Sequence, residues 1–281
     1  TIIKNYHRDI RGLRRKLTFS GVEQRIIKLE TELYNSITHQ KSSLTLESFT
    51  QELKEIKQLI IDQHQSLYVS QINSLLNKVH LFGFHFANLD IRQDSRKHAQ
   101  FFNTLVTALI ESGSTIFPEN YFDLQEDQQI QVLSKVQGKV DLSLIKDEET
   151  LKALHTMKAI KTIQSTNGQA AANRYIISNN QSTLHVMQLF AMLKIVAFDD
   201  ALTVDIGPLF ETITDLENAP KVMEELYTNP YYAAHLKTRA NKQTIMLGFS
   251  DGTKDGGYLM ANWAIYKAKE NLTRISRQYG I

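Results

Sequence analysis

Cysteine is absent from all 281 residues, which excludes disulfides and every thiolate-ligated metal centre. The same absence makes a reducing compartment the simpler setting, and the cytoplasm is the expected location. Charge of one sign is lacking too. The formal net charge is only +2, so no overall field draws the chain to nucleic acid or to an anionic membrane. No long apolar run occurs. The most apolar stretch, Val186 to Phe198, is interrupted by Gln188 and Lys194 and falls short of the roughly 18 residues a membrane span needs. There is no signal-peptide pattern, no internal repeat and no low-complexity tract. Neither nucleic acid nor membrane is expected as a partner.

What the sequence does hold is 42% hydrophobic residues, enough for a sizeable core, in a length that suits one large domain or two ordinary ones. Val22, Ile26, Leu29, Leu33 and Ile37 recur at steps of three and four and predict an amphipathic helix. Leu46, Phe49, Leu53, Ile56 and Ile60 predict a second, with Thr45 as its N-cap ahead of Glu47. Val69, Ile72, Leu76 and Val79 predict a third. Upstream, Tyr6 to Lys16 is basic through Arg8, Arg11, Arg14 and Arg15, read either as a solvated helix face or as an anion or partner site.

Downstream the pattern changes. Phe84 to Ile91 alternates and reads as a first strand, followed by a helix from His98 to Ile110. Residues 112–145 read as a short helix among loops, and Leu151 to Ile163 as a helix ending near Asn167-Gly168. Three further short apolar strands follow, each ahead of a helix: Arg174 to Ser178, Leu202 to Phe210, and Thr244 to Phe249. This alternation predicts a parallel sheet covered by helices. The expected fold class is α/β and predominantly helical, a partial (β/α)8, TIM-type barrel with additional helices. Residues 1–80 form a helical segment packed on the barrel, and residues 81–281 about four strand–helix units. Exposed strand edges in such an open half barrel would invite pairing with another copy.

In parallel α/β folds the reactive residues collect at the carboxyl ends of the strands. There the sequence supplies Arg92 after the first strand, Ser178, Asn179 and Asn180 after the second, Glu211 after the third, and Asp251 to Gly257 with Lys254 after the fourth. Two carboxylates can hold magnesium or manganese with water and substrate oxygens completing the shell, and a guanidinium fork suits phosphate. Each residue also has a plainer reading. Glu211 could simply cap the next helix, and Arg92 could pair with a local Asp such as Asp94. His85 and His98 read as structural, because no His pair has metal-ligand spacing and no H-E-x-x-H occurs. The Lys254 glycines lack P-loop order, and the Asp251 run lacks the helix and acidic twelfth residue of a calcium loop. Spacing alone therefore reaches a metal-assisted α/β enzyme acting on a phosphorylated or carboxylated small molecule.

These motifs also resemble a known family. Phe82-Gly83 with Leu89-Asp90-Ile91-Arg92-Gln93-Asp94-Ser95 and His98 resembles the F-G…L-D-I-R-Q-E-S…H segment of bacterial-type phosphoenolpyruvate carboxylases. Tyr175-Ile176-Ile177-Ser178 is similar to their Y-V-I-S strand. Pro208 to Thr212 with Asp215-Leu216 and Asn218-Ala219 resembles P-L-F-E-T…D-L…N-A. Gly248 to Gly257 resembles G-Y-S-D-S-x-K-D-A-G, and Trp263 falls where the family has a tryptophan. The motifs keep family order from about residue 80 to 270.

The resemblance implies addition of bicarbonate to phosphoenolpyruvate to give oxaloacetate and phosphate, an anaplerotic carbon-fixing step that feeds the tricarboxylic acid cycle. It implies Mg2+ or Mn2+ held by Glu211 and Asp251, and Arg92 on the substrate phosphate. Lys254 would lie near the carboxylation step, and Leu209 and Met246 would wall the substrate's methylene end. It also implies a homotetramer for the complete enzyme. Gly252, Thr253 and Gly256 depart from the family pattern and predict a more flexible loop. The family's T-A-H-P-T-E histidine motif and its G-R-G-G-S loop do not occur in the 281 residues. The chain starts at Thr1 without an initiator Met and stops just after a helical stretch. It is therefore expected to be an internal fragment, inactive alone. A non-catalytic helical scaffold and another magnesium-dependent barrel enzyme acting on pyruvate or phosphoenolpyruvate are the competing readings.

Overall fold

The computed structural model describes residues 2–38, 42–198 and 201–281. The chain divides into two compact units, Thr1–Asn88 and Leu89–Ile281.

Among the described residues the first unit holds four helices, α1 (Ile2–Arg14), α2 (Glu23–Ile37), α3 (Leu46–Gln63) and α4 (Val69–Phe82). The periodic apolar residues are its core: Ile26 and Leu33 from α2, Leu53 and Ile60 from α3, and Ile72 and Val79 from α4. Thr45 caps α3, its hydroxyl accepting from the Ser48 N–H at 3.1 Å while the Ser48 hydroxyl accepts from the Thr45 N–H at 3.0 Å. The basic run is α1. It buries Tyr6, Ile10 and Leu13, while Arg14 donates to Glu30 at 2.9 Å with Arg11 4.0 Å from the same carboxylate; Arg8 and Arg15 are exposed.

One expected strand starts later than its sequence pattern suggests. The alternation at Phe84 to Asn88 forms a turn, with Phe86 at φ +73°. Phe84 packs its ring on Tyr6 and Phe49, at centroid distances of 6.3 and 5.9 Å. Phe84 thus closes the helical core instead of lining a sheet, while Phe86 stacks on Phe82 and is exposed.

The second unit is a four-stranded parallel sheet with helices following its strands. The strands are β1 (Asp90–Asp94), β2 (Arg174–Ser178), β3 (Asp205–Phe210) and β4 (Met246–Leu247), in the order β1-β2-β3-β4. Between β1 and β2 lie α5 (Ser95–Glu111), α6 (Glu126–Lys135) and α7 (Glu148–Asn167). After β2 comes α8 (Thr183–Val196), and after β3 come α9 (Ile213–Thr228) and α10 (Pro230–Thr238); α11 (Ser250–Gln278) follows β4. Helix α8 is buried almost all round, as an apolar helix laid on a sheet must be. Its Met187, Phe190 and Leu193 share one core with Phe102 of α5, Ile177 of β2 and Phe210 of β3.

Strand β4 has two residues, not the six expected. Among the described residues it pairs with β3 alone, Leu209 opposite Met246 and Phe210 opposite Leu247, and the Gly248 N–H donates to the Phe210 carbonyl at 2.7 Å just before α11. Helix α10 is not signalled by apolar spacing. It starts at Pro230, with the Asn229 side chain accepting from the N–H groups of Tyr231 and Tyr232, the arrangement favoured at a first helical turn. Beyond Gly257, α11 buries Ala261, Ala264 and Ala268 and leaves Tyr258, Leu259, Trp263 and Tyr266 exposed.

In the first unit the Tyr6 hydroxyl donates to the Gly83 carbonyl at 2.8 Å in a buried setting. Tyr6→Phe keeps the packing and strands that oxygen, so it should lower stability by about 1–2 kcal/mol. Urea unfolding with an unchanged midpoint would contradict this.

Candidate active site at the carboxyl ends of the strands

Parallel register sets the site. Arg92 lies opposite Ile176, which lies opposite Gly207. Side chains alternate along a strand, so Gly207, Leu209 and Glu211 share a face, and Arg92 reaches the same carboxyl-end rim from β1. Arg92 is the middle residue of β1, where the sequence had suggested that it follows the strand. Its Nη2 is 3.3 Å from Oε1 of Glu211. The other carboxylate oxygen, Oε2, accepts the Asn179 backbone N–H at 2.6 Å.

The plainer readings of both residues are corrected by their neighbours. Thr212 caps α9, exchanging hydrogen bonds with Asp215 at 3.1 and 3.0 Å, so Glu211 is not the cap. Asp94 caps α5 through the Arg96 N–H and is gripped by the Arg96 guanidinium at 2.9 and 2.8 Å, so Arg92 does not pair with it. Those bonds to Arg96 hold the Asp94 carboxyl below its ordinary range.

Residues Ser250 to Gly256, expected as a flexible loop, are the first turns of α11, which kinks at Gly257 with φ +79°. Lys254 donates to Asp251 at 2.9 Å across one helical turn. The segment lies directly against Glu211: a Cβ on Gly248 would sit 3.1 Å from the Glu211 Cα, and one on Gly252 3.3 Å from the Glu211 carbonyl oxygen. Gly256 likewise sits where a Cβ would come within 2.8 Å of Ile213, and the Asp255 carboxylate accepts the Ile213 N–H at 2.9 Å. Glycine at these positions serves close approach. Leu209 is buried, and Met246, its partner across the ladder, is exposed.

Sequence reasoning did not single out Ser95. It is fully buried, and its hydroxyl donates to the Asn179 carbonyl at 2.6 Å. Asn179 has φ +53°, a left-handed conformation that Asn tolerates better than most residues. Both peptide groups of that turn are thus fixed, one by Ser95 and one by Glu211. The readable signal was an Asn placed straight after a strand. Below the rim His98 is buried with its Nε2 3.0 Å from the Tyr175 hydroxyl. Burial, then the nearby His185, pushes its pKa down to about 4, with Asp94 opposing.

Among the described residues no three acidic or histidine side chains converge on a point. An all-protein metal cage is therefore not formed by them, but magnesium and manganese need only one or two carboxylates. Glu211 and Asp251 fit that demand: both are hard oxygen donors, and each already presents an oxygen to a positive group, Arg92 and Lys254 respectively.

A parallel sheet with a carboxylate, a guanidinium and a lysine at its carboxyl-end rim defines an α/β protein whose rim carries charges of both signs. The chain belongs to the phosphoenolpyruvate carboxylase family, whose sequence model matches residues 3–281. It is 34% identical over 279 residues to a phosphoenolpyruvate carboxylase of Nitrosomonas eutropha, covering 94% of this chain and 29% of that protein. It is 33% identical over 283 residues to the Nitrosomonas europaea enzyme, with the same coverages of 94% and 29%. With that of a Synechococcus strain it shares 32% over 243 residues, 83% of this chain and 22% of that protein. The chain thus spans less than a third of the length of these relatives. No helix among the described residues is long and apolar enough to cross a membrane.

Between pH 6.5, the ordinary value for histidine, and about 4, the unfolded chain binds a proton that the folded, neutral His98 refuses. Stability should therefore fall as pH drops through this window. His98→Gln should flatten part of the slope, and the rest should persist through His235, also held down to about 4. Denaturant midpoints from pH 7 to 4 measure this; an identical slope in His98→Gln would refute it.

Proposed function

We propose that this chain is part of a phosphoenolpyruvate carboxylase, adding bicarbonate to phosphoenolpyruvate to give oxaloacetate and phosphate. The observation that carries the reading is Glu211, held between the Arg92 guanidinium and the Asn179 N–H at the carboxyl ends of three adjacent parallel strands. Its support is that these residues lie in the region matched by the family. The sequential order of the parallel strands, each with a following helix, supports a share in a (β/α)8 barrel.

In this reading bicarbonate attacks the phosphoryl group, the phosphorus–enol oxygen bond breaks, and carboxyphosphate and an enolate result. The enolate carbon then takes up the carboxyl unit, and phosphate leaves. Negative charge develops on both fragments, so fixed positive groups are the required catalysts. Arg92 offers its fork to the phosphate. Leu209 and Met246, paired across β3 and β4, form the apolar wall beside the methylene carbon. Lys254 lies one helical turn from Asp251, near the carboxylation step. A magnesium or manganese ion held by Glu211 and Asp251 would supply Lewis-acid stabilisation of that charge. The setting is cytoplasmic. The complete enzyme is a homotetramer, a reading supported by the exposed Tyr258, Leu259 and Trp263 of α11, an apolar face of the kind that further chain or another copy covers.

Coupling oxaloacetate formation to a dehydrogenase tests the activity. The 281-residue chain, which contains neither the T-A-H-P-T-E nor the G-R-G-G-S motif, should show no turnover; clear turnover overturns that expectation. In a longer protein carrying this chain, Glu211→Ala or Asp251→Ala should cut the metal-dependent rate by about 10²-fold or more. An unchanged rate would instead favour a non-catalytic scaffold.

A further inference from the structure

The two carboxylates read above as cation ligands are each paired with a side chain read above as an anion ligand. Glu211 carries Arg92 at 3.3 Å, and Asp251 carries Lys254 at 2.9 Å. We infer that Arg92 and Lys254 stand in for the metal on these carboxylates and are handed to the substrate's phosphate and carboxylate groups when a divalent cation takes their place. Cation and anion then bind with positive cooperativity. This rests on the reading of Glu211 and Asp251 as cation ligands and goes beyond it.

Three features favour an exchange over a permanent pair. First, the basic partners are the loosely held members. The Arg92 side chain is 54% exposed against 16% for Glu211, and Lys254 is 76% exposed against 51% for Asp251, so the contrast is sharpest at Glu211; exposed ion pairs of this kind contribute little and break readily. Second, Glu211 does not depend on Arg92 for its orientation. Its Oε2 is fixed by the Asn179 N–H at 2.6 Å, and Asn179 is fixed by the buried Ser95. Oε1 is therefore the oxygen whose partner can change. Third, both carboxylates that flank Arg92 along its strand already have arginine partners: Asp94 is doubly bonded by Arg96, and Asp90 pairs with Arg174 at 3.2 Å.

Charge balance gives the direction of the coupling. Two carboxylates and two side-chain cations sum to zero. A divalent cation added to that set leaves an excess of two positive charges, which a dianionic phosphate offsets. By linkage the anion must raise the affinity for the cation by the same factor.

The test is Mn2+ binding to the 281-residue chain, read from the electron paramagnetic resonance signal of free Mn2+, with and without inorganic phosphate. Arg92→Gln should tighten Mn2+ binding without phosphate by about two- to five-fold, the worth of one exposed ion pair. It should also lose most of the tightening that phosphate gives the unmodified chain. Arg96→Gln is the control: it removes an equal charge that also senses Glu211 but is bonded to Asp94, so its effect should be clearly smaller. Glu211→Gln should abolish tight binding. Equal tightening by Arg92→Gln and Arg96→Gln, or none by Arg92→Gln while Glu211→Gln still loses Mn2+, overturns the exchange alone. No Mn2+ binding by the unmodified chain, or binding unaffected by Glu211→Gln, overturns the cation-ligand reading and the exchange with it.

Discussion

Three strands converge on one carboxylate. Glu211 follows β3, its Oε2 takes the N–H of the residue after β2, and its Oε1 takes the guanidinium of β1. The fourth strand approaches too, since Gly248 passes so close to the Glu211 Cα that a Cβ there would sit only 3.1 Å from it. A carboxylate with only 16% of its side chain exposed must have its oxygens satisfied. Here that demand is met by bonds from separate strands, so the electrostatics of the rim and the alignment of the sheet become one constraint.

The surrounding chemistry is arranged to leave that carboxylate available. Helix α9 needs an acceptor at its N-terminus, and the Thr212–Asp215 pair provides it. Helix α5 needs one too, and Asp94 provides it while engaging Arg96. Because both caps are local, neither Glu211 nor Arg92 is drawn into helix termination. Glycines at 248, 252 and 256 then let the start of α11 lie against β3 and α9, which carries Asp251 and Lys254 to the rim.

Much of this was legible from residue spacing. The helical periods of α2, α3 and α4, the apolar run of β2 and the cap at Thr45 each follow from local rules that tertiary packing did not override. The failures have a common origin. Phe84 and Phe86 alternate as a strand would, but their partners are Tyr6, Phe49 and Phe82, and sequence distance hides such contacts. Thr244 to Phe249 has strand composition, yet only Met246 and Leu247 join the ladder to β3, and α11 starts at Ser250. The glycines after Asp251 suggested a loose loop, because composition cannot distinguish glycine chosen for freedom from glycine chosen for proximity. At the site, residue types were readable and pairings were not: whether Arg92 met Asp94 or Glu211 depended on Arg96 having already taken Asp94.

The left-handed turn at Asn179 has a further consequence. Both of its contacts, to Ser95 and to Glu211, are made by main-chain atoms, so the side chain at this position can be exchanged for glycine or another residue tolerating that conformation while the bonds persist. Comparing family members letter by letter would therefore pass over the turn, since what has to be inherited is a backbone shape. Part of this rim's design is invisible to sequence comparison and would be recovered only by superposing structures.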